Sequence, residues 1–501
     1  MKVTEQPELN DEKLFPELKK RLTEGRFDFI FADSLKENIV ALNIGEREEL
    51  KAEDVEPLWQ LLIEDAITYL KMSDSREWRE TFGKPAEKEQ RSSLKAFGVE
   101  KLKEYFAQFM KFEKVLYGAV RYYHEHTLHV FRVWVLGALL LDDWSQDKNY
   151  PYIEFFNDLI FPILNLKSDE EKDKLIKFDE IQAMWCIIAL SHDLGYPLQK
   201  VDDINNETRT MLRNYAKVNL QDLNFNVPQQ HHFINDFILR FISSRTIILN
   251  ESEFNKKLLL EIIEGEDQLT NRQKRRFRTH IQSKYYLKYS KSLEDFDHGI
   301  FSSILLMRSL TYFLESDFDL DDLKPLEYND ARQCSIRREI LRAIAGHTCE
   351  QIYHIRPDTL SFLLILCDEL QSWGRPTIQE ILGGGDSEFP ISKLITYREQ
   401  EVEFELVFRD INEDVYKRTA TLFQRFHKLL RVAVDAPRRE FKCRFTVKST
   451  STPDMVFVFK FVSTKEKPPK FEFTSNGMVW EPWDEKYKDW RIEHKAAAKN
   501  P

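Results

Sequence analysis

Histidines and carboxylates set into apolar sequence are the first residues of this chain that call for a chemical explanation. In ALSHDLGYPLQ, His192 and Asp193 close an apolar stretch just before a Gly-Tyr-Pro break. Adjacent helical residues point about 100° apart, so both reach one ion only where it sits between their directions, as at a helix end. Imidazole nitrogen and carboxylate oxygen together suit Mn, Fe, Co, Ni or Zn, and a carboxylate can also bridge to a second ion. Taken alone, the same doublet fits a plain helix cap. Most of the histidines between positions 124 and 354 lie in or beside apolar segments, where a polar side chain without a partner is costly.

The elements that must position these residues read as helices. From about residue 101 the chain runs through KLKEYFAQFMKFEKVLYGAVRYYHEHTLHVFRVWVLGALLL, DEIQAMWCIIALSHDLGY, FDHGIFSSILLMRSLTYFL, RREILRAIAGH and PDTLSFLLILCDEL. Helices apolar almost all round belong in the middle of a large bundle. Residues 1–100 read as a polar helical lead-in, and 101–385 as the main helical domain. After Gly383, Gly384 and Gly385 the pattern changes: EVEFELVFRD, EFKCRFTVKST and DMVFVFKFVST alternate as strands around one helical stretch, INEDVYKRTATLFQRFHKLLRVAV. A smaller α+β domain is therefore expected over 386–480, with a tail over 481–501. The expected fold class is mainly α.

The 501 residues are ample for more than one packed unit. With 42% hydrophobic and 31% charged residues, collagen-like and mostly disordered classes are excluded. The 73 basic and 84 acidic residues give a net charge of −11, which disfavours indiscriminate binding to nucleic acid or anionic membranes. Five scattered cysteines form no CxxC pair, so no disulfide framework or zinc ribbon is expected, and a reducing cytoplasm fits. The most lipid-like run, residues 133–141, is about nine residues long against the roughly 20 that a span needs, so no membrane segment is expected.

The order of these residues resembles the HD-domain metal-dependent phosphohydrolase superfamily, whose pattern is a first His, an HD doublet and a later Asp on helices of an all-α core. HTLHV is similar to its His-[Ser/Thr]-Leu-x-Val motif, with His126 the better match and His129 the competing one. HDLGYP resembles the HDLGHP run of its deoxynucleoside triphosphate triphosphohydrolase branch, with Tyr196 where that branch has His and PLQK in place of PFGH. The resemblance spans roughly residues 110–380. It implies an HD-type helical bundle with His126, His192, Asp193 and Asp368 as metal ligands. Some branches add helical histidines to complete a two-metal site, which would be His298 and His347 here, although both also fit helix ends. By the same resemblance, His231 or His232 would do acid-base work, and Arg375 would stand beside the metal as a substrate contact.

Phosphate contacts have candidates of their own. Arg338 and Arg342 share a helix face at i, i+4 spacing, within reach of one polyanion, and Tyr196 joins them as a substrate-facing residue. No GxxxxGK[ST] loop, GxSxG elbow or HExxH helix occurs, which argues against P-loop enzymes, serine hydrolases and zincins. The expected function is a phosphohydrolase with one or two divalent ions, acting on a nucleotide or related phosphoester through metal-activated water, with Asp193 central. A non-catalytic HD-type ligand-sensing or regulatory module that binds a partner protein is the alternative. Nucleic acid is a disfavoured partner, and a homo-oligomer is left open.

Overall fold

The computed structural model describes residues 8–42, 50–74, 98–119, 126–145, 176–213, 229–248, 277–315, 325–326, 328–352, 359–374, 391–398, 401–408, 441–450, 456–464 and 467–479. The chain divides into two compact units, one of Lys19–Ala119 with His126–Ile352, the other of Met1–Leu18, Val120–Glu125 and Tyr353–Pro501. Mostly helical structure with a small sheet region matches the mainly α expectation.

The helices in chain order are α1 (Asp11–Thr23), α2 (Asp33–Ala41), α3 (Ala52–Asp74), α4 (Val99–Ala119), α5 (Thr127–Ser145), α6 (Phe178–Ser191), α7 (Tyr196–Arg213) and α8 (Gln229–Ser243). A short antiparallel pair follows, β1 (Ser244–Ile248) with β2 (Phe277–Ile281), then α9 (Ser283–Glu294), α10 (His298–Ser309), α11 (Thr311–Leu314) and α12 (Tyr328–Thr348). α5 and α6 are buried along nearly their whole length, as their all-round apolar sequences require. α6 packs against α3, α5 and α12, and α10 packs against α12. The helices α2 and α3 thus share a unit with the central pair.

Indole donors lock this core. Trp185 Nε1 donates to Trp134 O at 3.0 Å and Trp59 Nε1 to Leu190 O at 2.7 Å. α5 and α6 cross where residue 137 has no side chain, because a Cβ there would stand 2.1 Å from the Trp185 ring. Arg21 is almost wholly buried and ties α1 to α5 through Leu139 O, Asp142 and Asp143.

The start of α6 gathers charge. Glu180 accepts from Lys177 N at 2.7 Å and is ion-paired with buried Arg332 of α12. Beside it, burial and the nearby Asp28 carboxylate push the Asp179 carboxyl up to about 6. A carboxyl raised on folding stabilises the native state only while protonated, and that contribution is lost as pH rises through about 6. Asp179→Asn should therefore be more stable than wild type at pH 7–8 by about 1–3 kcal/mol. The gain should vanish near pH 4, where both residues are neutral. Urea midpoints at the two pH values test this, and an equal gain at both would show that the charge is not the cause.

The second unit holds α13 (Leu360–Leu370), whose start is capped by Thr359 Oγ1 accepting from Phe362 N at 3.2 Å. Its sheet comprises β3 (Ile391–Arg398), β4 (Glu401–Phe408), β5 (Phe441–Ser449), β6 (Val456–Thr464), β7 (Lys467–Ser475) and β8 (Met478–Val479), in that spatial order. Period-2 alternation turns Val402, Phe404, Leu406, Cys443, Phe445, Val447, Phe457 and Phe459 to the buried face. Glu403–Arg444 and Lys460–Glu472 pair across strands on the other. The three strands read from sequence are β4, β5 and β6. All pairs are antiparallel except β4–β5, and a parallel pair needs a long crossover. The stretch read as a helix in that interval, and the tail over 481–501, lie outside the described residues.

Candidate metal centre

The HD doublet sits at a helix end, as its neighbouring directions require. α6 stops at Ser191, His192 keeps helical dihedrals as its C-cap, and one turn later Tyr196 N bonds Asp193 O at 2.9 Å to open α7. Gly195 allows α10 to come close: its N donates to Ser302 Oγ at 2.7 Å, and an added Cβ would stand 2.2 Å from His298 O. Ser302 Oγ in turn lies 2.7 Å from His192 O. Backbone cannot yield as a flexible side chain can, so Gly195→Ala should cost about 1–3 kcal/mol and displace His298. A urea midpoint equal to wild type would mean that the α7–α10 approach opens freely.

Asp193, 5% exposed, is surrounded by imidazoles from four helices. Its Oδ2 lies 3.4 Å from His192 Nε2 at the end of α6 and 3.7 Å from His129 Nε2 in the first turn of α5. Its Oδ1 lies 3.2 Å from His298 Nε2, the first residue of α10, and 3.7 Å from His347 Nε2 in the last turn of α12. Each carboxylate oxygen thus faces its own pair of nitrogens. Ligand atoms of His192, Asp193 and His347 lie within 4.8 Å of one another, close enough for one ion.

Three of the rings have Nδ1 committed to an oxygen: His192 to Ala189 O at 2.8 Å, His347 to Ile344 O at 2.6 Å and His298 to Gln199 Oε1 at 2.7 Å. Nδ1–H donates in each, which leaves the Nε2 lone pair as the inward-facing atom. His298 Nε2 and His347 Nε2 stand 3.2 Å apart beside Oδ1. Two lone pairs and a carboxylate oxygen facing one another repel unless a cation lies among them, so the donor set fits a metal ion. Burial alone would push the Asp193 carboxyl up, but His192, His298 and His347 hold it well below the usual carboxylate range. Burial lowers the His298 imidazole to about 4 against the pull of Asp193. At neutral pH Asp193 is therefore ionised and His298 neutral, the states in which a carboxylate and an imidazole ligate a metal.

His126 takes a different position. It precedes α5, stacks on Tyr196 with centroids 3.9 Å apart, and has Nδ1 3.5 Å from Glu113 Oε1. Of the two histidines in HTLHV, His129 is therefore the one brought up to the Asp193 carboxylate. Tyr196 also meets His298 edge-on at 5.5 Å, and Lys200 Nζ lies 5.3 Å from its ring centre.

The sequence motifs do not mark Glu113. Buried on α4, it accepts from His126 N, from Thr127 N at 3.3 Å and from Thr127 Oγ1 at 2.6 Å, capping the helix that carries His129. The signal was present: Phe106, Phe109, Met110 and Glu113 share one helical stripe, and Glu113 is its sole carboxylate.

Arg338 and Arg342 are engaged with structure. Arg338 donates to Thr246 Oγ1 at 3.0 Å and Ser335 Oγ at 3.3 Å; Arg342 donates to Ile242 O at 3.0 Å, to Ser244 O and to Glu339. They fasten α12 to the α8–β1 junction. His231 and His232 lie in the first turn of α8, and Asp368 in the last turn of α13, in the second unit. Arg375 lies outside the described residues. Among the described residues no helix is long and apolar enough to cross a membrane. No protein family, curated protein or solved structure matches the chain.

Proposed function

We propose that this chain is a metal-dependent phosphohydrolase of HD type, acting on a nucleotide or related phosphoester. The observation that carries the reading is the division of Asp193: His129 and His192 flank Oδ2, while His298 and His347 flank Oδ1. That arrangement suits a carboxylate shared by two ions of the Mn, Fe, Co, Ni or Zn group. Bound divalent ions supply activated water and neutralise charge on phosphoryl oxygens. The chain's own residues do the holding: backbone carbonyls and Gln199 fix the imidazoles, and Gly195 and Ser302 keep α10 against the HD turn. Tyr196 and Lys200 offer a ring and a cation beside the cluster for the substrate. The nucleotide assignment follows from the HDLGYP resemblance.

All five cysteines are free thiols, which supports a reducing, cytoplasmic setting. A non-catalytic ligand-sensing module is the second reading, favoured by the packing of Tyr196 directly on His126.

The test is elemental analysis of dialysed protein, followed by phosphate-release assays with nucleoside triphosphates, monophosphates and cyclic nucleotides in added Mn(II). Two retained equivalents and turnover of one substrate class are expected. Absence of metal even after added Mn(II) or Ni(II) would sink the reading. Metal without turnover across the panel would move the sensing module ahead.

A further inference from the structure

We propose that Gln199 is a positioning residue that sets the tautomer and ring orientation of His298, and so governs the Oδ1 side of the metal centre separately from the Oδ2 side. The inference rests on the two-ion reading above. Three of the Nδ1 atoms around Asp193 face an oxygen, but the oxygens differ in kind. His192 and His347 use carbonyls three residues back in their own helices, Ala189 O and Ile344 O. Such partners come with the helix itself and no side-chain substitution removes them. His298 is the first residue of α10 and has no preceding helical turn to offer a carbonyl. Its partner comes from another helix, Gln199 in the first turn of α7, with Oε1 2.7 Å from Nδ1.

The consequence is specific to one side of the carboxylate. With Nδ1–H held by Gln199, the Nε2 lone pair of His298 is aimed at the space shared with Asp193 Oδ1 and His347 Nε2, at 3.2 Å from each. Without an acceptor at Nδ1, the proton is free to move to Nε2, where it bonds to Asp193 and removes His298 as a ligand. The His129 and His192 pair stands at the other carboxylate oxygen, Oδ2, and His192 Nδ1 is held by Ala189 O, so its ligation should be spared. Gln199 is held in place by the same turn that carries the HD doublet: Tyr196 N bonds Asp193 O, and Leu198 N bonds Gly195 O at 3.1 Å.

The experiment compares full-length wild type, Gln199→Leu and Gln199→Glu by calorimetric Mn(II) titration, with electron paramagnetic resonance of the loaded proteins. Gln199→Leu should bind one Mn(II) as wild type does and the other about 10–100-fold more weakly, losing the spin-coupled two-ion signal. Gln199→Glu keeps an acceptor for Nδ1–H and should restore both. If Gln199→Leu binds both ions with wild-type affinity, the proposal is overturned.

A second readout needs no metal. In metal-free protein with 15N-labelled histidine, long-range couplings assigned with His298→Gln should place the His298 proton on Nδ1 in wild type and not in Gln199→Leu. A wild-type proton on Nε2, or an unchanged pattern in the variant, overturns the positioning role. Failure of wild type to bind two ions would instead overturn the two-ion reading, with the tautomer measurement still deciding Gln199.

Discussion

On the two-ion phosphohydrolase proposal, Asp193→Ala is expected to abolish metal binding and phosphate release in one step while its helical content stays close to wild type. Each oxygen of this carboxylate serves a different imidazole pair, so its removal takes the one anionic group they share from both. Affinity should fall by more than about 100-fold, beyond the range seen when only an orienting partner is lost. The helix behind it should survive, because α6 is fixed by apolar burial and by indole bonds from Trp185 and Trp59. Elemental analysis, circular dichroism and phosphate release on the same preparation check the three statements. A variant that kept two equivalents and full turnover would refute the assignment of Asp193.

Glu113→Ala should produce the largest loss of stability among single changes around the centre. One carboxylate serves His126 N, Thr127 N and Thr127 Oγ1 in a buried setting. Truncation leaves those donors stranded at about 1–3 kcal/mol for a buried group and also removes the N-terminal cap of α5, at about 0.5–2 kcal/mol. A total near 3 kcal/mol is expected in urea unfolding, with Glu113→Gln, which keeps one acceptor, falling between Ala and wild type. A loss for Glu113→Ala within the ±0.5 kcal/mol usual for surface changes would show that α5 does not depend on this cap.

How much of this could be read from sequence depended on whether the deciding contact was local. His192 and Asp193 were legible because a helix end, a glycine and a proline mark their geometry in a few residues. Strands β4, β5 and β6 were legible because one buried face enforces period-2 alternation. His126 and His129 could not be separated that way, since residues three apart share a helix face. What separates them is tertiary: Glu113, from another helix, starts α5 at Thr127 and leaves His126 outside it. Arg338 and Arg342 show the same limit in reverse. Their i, i+4 spacing was read correctly as a shared face, but the β1 strand and the α8 end that occupy that face come from about 100 residues earlier. Gln199 carried no signal in the sequence, because its importance lies in the missing turn before His298.

The four histidines around Asp193 lie on helices spread from residue 129 to residue 347. In an unfolded chain those donors are far apart, so an ion seated among them binds the native state almost exclusively and adds RT ln(1 + [M]/Kd) to its stability. A metal bound there as proposed would therefore work as a removable cross-link that closes long stretches of chain. In a cell, the lifetime of such a metal-loaded protein would rise and fall with the free concentration of the ion.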